Sequence, residues 1–314
     1  MSGTDVASTE ALEPALRRAE EALFSAVVLE AVLARREAGR GRPEDEGHTG
    51  ALAAELITFQ GPEGSWGKDL LRTAEALLLL HALTPDPAPA SRDARDRGVA
   101  WIRSRQGEPG AFAEGCTPER HALRFCEHFI TGFFSPAGPG IDLSSVTLSN
   151  GVRFGGDAAA RLGVSCVALR SLLRWGVRGP DIDSHVDGVR SIVTGVALNA
   201  PSFLSVSGYV SAIGALVEAP RDTRNDAAVA AGLERLASLQ RGDGSWRGGD
   251  AFHVLDALVR AVDLGHSSAS ALTAIRRAAG MLALLQREDG MWGRETGPER
   301  AMTGWRTLRC AVAS

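Results

Sequence analysis

The sequence predicts an all-α fold: an α/α toroid of about six outer–inner helix pairs. Three observations carry this. The phrase "LQRGDGSW" (Leu239 to Trp246) recurs as "LQREDGMW" (Leu285 to Trp292) and as "FQGPEGSW" (Phe59 to Trp66). Each copy is flanked by segments of helical periodicity, charged on one face before the phrase and apolar almost all round after it. Strand signals are scarce. A helix apolar on every side is buried on every side, so alternation of the two kinds implies two concentric layers.

The elements follow in order. "MSGTDVASTE" lacks the basic-then-apolar order of a signal peptide. Residues 1–9 read as a flexible N-terminus and 10–314 as a single domain. "LFSAVVLEAVLA" is the first inner candidate. "ALAAELITF" precedes Gln60, and the buried-type helix "LLRTAEALLLLHAL" follows Trp66. "RDARDRGVAWIRS" shows the charged face of an outer helix. It runs into a weaker copy, "IRSRQGEPGAF", with Phe112 in place of tryptophan. "RHALRFCEHFI" is a further inner candidate, and the glycine- and proline-rich "FFSPAGPGID" after it reads as a loop, a candidate lid. "IDLSSVTLSNGVRFG" offers a short hairpin at "SNG".

Beyond the hairpin, "GVSCVALRSLLRW" and "GYVSAIGALVEA" are inner, with the outer "SHVDGVRSIVTGVAL" between them. In "NDAAVAAGLERLAS", Val229, Leu233, Leu236 and Leu239 fall at helical spacing, with Asn225 or Asp226 as the cap. "DAFHVLDALVRAVDLG" is inner and stops at Gly265. The outer "SALTAIRRAAGMLALL" and the inner "ERAMTGWRTLRCAVA" flank the last copy.

Composition narrows the function classes. The chain has 314 residues, 44% hydrophobic and 23% charged, enough to bury a large core. A net charge of -4 gives nucleic acid no basic face to bind. The longest apolar run, "ALLLLHAL", is far short of a membrane span. Cys116, Cys126, Cys166 and Cys310 show no ligand spacing and read as reduced thiols of a cytoplasmic protein.

The phrase has a physical reading of its own. Glutamine closes off one helix with its amide. Asp-Gly or Glu-Gly makes a tight turn, because glycine tolerates positive φ. Tryptophan lies over the start of the next helix and donates its indole N–H. Three of the six tryptophans are therefore architectural.

Gln-x-x-(Asp/Glu)-Gly-x-Trp between helices resembles the QW repeat of squalene–hopene cyclases and related class II terpene cyclases. The β subunits of protein prenyltransferases share that α/α toroid. The resemblance covers the chain from roughly Ala51 to the end. It implies polar groups at the N-terminal ends of the inner helices, facing an apolar cup. It also implies an Asp-x-Asp-Asp motif there whose middle acid protonates an alkene or epoxide. This chain departs from that motif: "DLLR" (Asp69 to Arg72) keeps the first acid and has Leu71 in the middle place.

At the same level of the next strong copy stands "DAFH", with Asp250 and His253 one helical turn apart, an acid–base pair in prospect. Asp256 follows a turn later inside an otherwise apolar helix. Asp69, Asp250, His253 and Asp256 are the candidate catalytic residues. The plainer reading stands beside it: Asp69 and Asp250 cap helices, and His253 and Asp256 form a satisfied pair. Glu119, His121, Arg124 and Phe125 of the polar inner helix, with Phe252, Tyr209 and Trp305, are candidate substrate-binding residues. "PDIDSHVDG", with Asp181 and Asp183, looks acidic enough for a site but reads as the start of an outer helix.

The prenyltransferase zinc motif is absent, and so is a phosphate-cradling glycine loop. No cofactor is implied, except Mg2+ where the substrate is a diphosphate. Two functions remain open. One is a bacterial terpene-cyclase-like enzyme (isomerase or lyase) acting on an isoprenoid or polyene-type natural product. The other is a non-catalytic toroid that binds a lipid-like ligand or a partner subunit. Related cyclases pair two such domains, so a homodimer or companion subunit is expected.

Overall fold

A computed structural model of the chain describes residues 8–105, 145–155, 157–195, 205–266, 268–293 and 298–314. Among them are twelve helices and one two-stranded hairpin. The first five helices are α1 (Thr9–Ser25), α2 (Leu29–Glu37), α3 (Pro43–Thr58), α4 (Leu70–Leu83) and α5 (Pro89–Ser104). The hairpin pairs β1 (Ser145–Thr147) with β2 (Arg153–Gly155), Val146 opposite Phe154. Then come α6 (Asp157–Arg174), α7 (Pro180–Gly195), α8 (Val206–Leu216) and α9 (Thr223–Ser238). The chain ends with α10 (Ala251–Asp263), α11 (Ala269–Leu285) and α12 (Pro298–Ala313). No helix among the described residues is long and apolar enough to cross a membrane.

The chain forms two compact units, one of Met1–Gly47 with Ala230–Ser314, the other of His48–Val229. In the first, α12 packs against α1, α2, α10 and α11. In the second, α6 packs against α4, α8 and the hairpin, while α5 lies on α4 and α7 on α8. Burial is most complete in α8, where every residue from Gly208 to Leu216 is buried. The hairpin forms at "SNG" as its sequence predicts, with Gly151 at φ 82° and the Val152 N–H donating to the Asn150 side chain.

The phrase forms a miniature hairpin in all three strong copies. The residue after each glutamine donates its N–H to the residue before the tryptophan: Gly61 to Ser65, Arg241 to Ser245, Arg287 to Met291. The tryptophan turns back toward the preceding helix. Trp66, Trp246 and Trp292 each donate at 2.8 Å to the carbonyl ten residues earlier, on Leu56, Leu236 and Leu282. The N–H thus points back to the preceding helix, while the Trp292 ring lies against Gly304 of the following helix, α12, as the sequence led one to expect. The last-turn carbonyls of a helix lack intrahelical donors, and a flat, buried N–H supplies one.

The glutamine reaches outward. The Gln60 amide donates to Gly64 O within its own turn and to Ala94 O of α5, at 2.9 and 2.8 Å. Gln240 does the same with Gly244 and Ala274 of α11, and Gln286 with Gly290 and Ala15 of α1. Each glutamine oxygen accepts from an arginine three residues beyond that alanine: Arg97, Arg277 and Arg18. The phrase glycines, at φ between 79° and 98°, face the same arginines' backbone. A Cβ on Gly64, Gly244 or Gly290 would come within 3.0 Å of the Arg97, Arg277 or Arg18 carbonyl oxygen. The glycine serves both the turn and the close approach of the helix that carries the arginine.

The segment "LFSAVVLEAVLA" is not one helix. α1 ends at Ser25, and Ala26 and Val28 are extended (ψ 153° and 161°). The break is held by Arg35 of α2, which is buried. It donates to the Phe24 and Ala26 carbonyls at 2.9 and 3.1 Å and grips Asp45 through two nitrogens. Asp222, not Asn225 or Asp226, caps the start of α9. Its carboxylate accepts the Asn225 N–H, while the buried Asn225 amide donates to Leu216 O. Cys166 and Cys310 are free thiols, and burial pushes both upward.

Two outcomes follow. Trp66→Ala, Trp246→Ala or Trp292→Ala is expected to lose about 3–5 kcal/mol, since each removes a large buried ring and leaves a helix-end carbonyl unpaired. Urea unfolding measures it, and a variant as stable as wild type refutes the staple. The second concerns pH. Burial pushes the His185 ring down to about 4 from 6.5, with Asp181 opposing. The Arg35 hydrogen bond and the Arg42 N–H hold Asp45 at about 2 against 3.8. The unfolded chain then binds more protons than the folded one. Stability falls as pH drops from about 6.5 to 4 through His185, and again from about 4 to 2 through Asp45. Melting temperature against pH measures both steps, and His185→Gln should abolish the first alone.

Candidate functional site

Two glycines, Gly248 and Gly249, lead from the Trp246 staple to Asp250, which caps α10 from an extended conformation. Its Oδ1 accepts the main-chain N–H groups of Phe252 and His253 at 2.9 and 3.2 Å. Its Oδ2 accepts from Arg300 Nη2 of α12 at 2.8 Å. The Arg300 guanidinium lies over the Phe252 ring, 5.0 Å from its centroid. Phe252 meets Trp292 edge-on at 6.5 Å. The first turns of α10 and α12 are thus tied by one carboxylate, one guanidinium and two aromatic rings. Asp250 reaches His253 through the backbone N–H, and His253 is itself half-buried.

Farther along α10, Asp256 Oδ1 stands 3.8 Å from Arg306 Nη1. Arg306 also grips Glu37 at the end of α2, with Arg309 3.8 Å from the same carboxylate. Burial works against the Arg306 charge, but Glu37, Asp256 and Asp263 outweigh it and raise the guanidinium further. Asp263, the last residue of α10, is pushed up by its surroundings and by Glu37, against Arg309, Arg306 and Arg260. Trp305 is fully buried. It donates to Glu20 at 3.4 Å, meets Phe24 edge-on and carries Arg309 over its face at 4.4 Å.

The remaining candidates belong to the other unit. Asp69 caps α4 by accepting the Arg72 N–H at 2.8 Å. The Thr73 hydroxyl bridges the Asp69 carbonyl to the Trp66 N–H. Leu71, which holds the place of the middle acid, packs against the hairpin cluster of Leu148, Val152, Phe154 and Ala160. Tyr209 is buried and donates to the Val193 carbonyl at 3.3 Å. Asp181 pairs with Arg103 of α5 at 2.9 Å, and Asp183 closes the first turn of α7 on Gly179, as expected of a helix start. Glu119, His121, Arg124 and Phe125 lie outside the described residues.

The structure therefore brings Asp250, Phe252, His253 and Asp256 onto one helix, beside Trp305 on α12. It adds three residues that sequence reasoning missed: Arg300, Arg306 and Glu37. A signal existed for the first. Arg300 stands in the opening turn of the helix after the Trp292 phrase, as Asp250 stands at the start of the helix after the Trp246 phrase. Two opposite charges at matching places of the helices that follow consecutive phrases are candidates for a pair.

No protein-family model matches the sequence, and no curated protein matches it. The fold is similar to that of several solved structures. A protein from Actinoplanes is 17% identical with a TM-score of 0.56, the match covering 96% of this chain and 100% of that one. A variant of the type II terpene cyclase MstE from Scytonema, in complex with geranylgeranyl dihydroxybenzoate as substrate, is 14% identical. Its TM-score is 0.58 over 97% of this chain and 98% of that one. Another MstE variant, in complex with merosterolic acid A as product, is 15% identical with a TM-score of 0.58 and the same coverage. At these identities the likeness is one of fold, and the fold is terpene-cyclase-like.

Proposed function

We propose that this chain is a terpene-cyclase-like enzyme of the α/α-toroid kind, cyclising or rearranging an isoprenoid or polyene-type natural-product intermediate in an apolar cup. The observation that carries the reading is the fold match along nearly the whole chain to a cyclase with bound isoprenoid substrate and product. The three staples support it, since they repeat the Gln-to-Trp phrase of that enzyme class in one geometry. Asp250, His253 and Asp256 on α10 are the acid–base candidates, with the half-buried Phe252 as aromatic surface beside them; Trp305 and Tyr209 are buried and have core roles. Asp69 is a helix cap. Cyclisation moves protons without changing composition: an acid adds one to an alkene and a base takes one from the resulting cation.

One observation favours the second reading, a toroid that binds a lipid-like ligand or partner without turnover. Asp69, Asp250 and Asp256 are each engaged by main-chain N–H groups or by a guanidinium. Incubation with a panel of prenyl diphosphates and neutral polyenes, with and without Mg2+, separates the two. Mass spectrometry should find a product isomeric with its substrate, or one that has lost diphosphate. Recovery of every substrate unchanged would overturn the enzymatic reading. Asp250→Asn should abolish turnover with the melting temperature within a few degrees of wild type, because asparagine caps a helix about as well as aspartate. Retained turnover removes Asp250 from the chemistry.

A further inference from the structure

We propose that Arg300 binds the anionic head group, carboxylate or phosphate, of the apolar ligand that the proposed function requires; the inference rests on that reading. A guanidinium has five N–H donors in a rigid fork. One of those on Arg300 goes to Asp250 Oδ2, and no other has a partner among the described residues. The side chain is 30% exposed, so it is open to a ligand.

Its position is set from two sides. Asp250 holds one edge, and the Phe252 ring lies under its face at 5.0 Å. An arginine held this way loses little rotamer freedom when it takes a second acceptor. Asp250 does not make the place repulsive to an anion. One of its oxygens is on the guanidinium, and the other is on the first-turn N–H groups of α10. The pair is neutral, and Arg300 is the third residue of α12, so the positive ends of two helices lie nearby. The half-buried Phe252 ring, backed edge-on by the buried Trp292, adds apolar surface beside the charge. An anion joined to an apolar chain matches both features. Two oxygens on one carbon or one phosphorus fit the fork.

The test measures binding rather than turnover. Farnesyl diphosphate, farnesoic acid and farnesol are titrated into the full chain without metal and then with Mg2+, followed by calorimetry. At least one anionic ligand should bind about tenfold tighter than farnesol, in keeping with a charge-assisted hydrogen bond. Preference for the acid or for the diphosphate identifies the head group. Arg300→Gln should bring the anion to the level of farnesol and leave farnesol unchanged. Arg300→Lys should keep part of the preference, since it retains the charge and loses the fork, and it serves as the folded comparison. If farnesol binds wild type as well as both anions do, or if Arg300→Gln keeps the preference, the assignment is overturned and the proposed function stands. If none of the three ligands binds, both fall.

Discussion

The glutamine amide of each staple meets two carbonyls at once, one in its own turn and one on another helix, 34 residues further along from Gln60 to Ala94 and from Gln240 to Ala274. Much else in the molecule depends on that double contact. It works only because the glycine four residues on has no Cβ, so the receiving helix can bring an arginine carbonyl against the turn. The arginine then returns its guanidinium to the glutamine oxygen, which leaves no amide atom of the staple unanswered. The tryptophan fills the space beneath and closes the helix behind it. In this small hairpin the buried polar groups are paired, and so it can sit at the junction of three helices without a penalty.

The last staple shows what this does for the chain as a whole. Gln286 lands on Ala15 of α1, 271 residues back, and the two ends of the chain form one unit. Val27 stands twelve residues after Ala15, the spacing that separates Ala274 from Gln286, and is largely exposed. α1 therefore receives a staple and gives none. The Arg35–Asp45 pair takes over at its end, with Arg35 supplying the donors that the α1 carbonyls lack.

The candidate site shows the same rule applied to charge. Asp250, Asp256 and Glu37 are each met by an arginine of α12, so these charges are paired across helix boundaries. Pairs this exposed contribute little to stability. Their value is positional: they fix which turn of α10 faces which turn of α12. Leu71 illustrates the opposite solution. Where α4 has no charge to pair, an apolar hairpin covers it.

Periodicity and the repeated phrase were enough to determine most of the described helices, the hairpin at "SNG" and the burial of the three phrase tryptophans. These are local matters, decided by spacing along the chain and by turn chemistry. Helix capping by Asp69 and Asp250 was legible for the same reason. The direction of the indole N–H, the landing of glutamine on another helix, the break between α1 and α2, and the partners Arg300, Arg306 and Glu37 were decided by tertiary structure. The glutamine contacts and the charge pairs depend on segments distant in sequence meeting at hydrogen-bond range: 37 residues for Gln60 and Arg97, 50 for Asp250 and Arg300, 271 for Gln286 and Ala15. The indole N–H and the α1–α2 break turn on nearer partners, selected by how the adjoining helices pack. A sequence states which groups need partners, and only packing selects which of many chemically equal partners arrives.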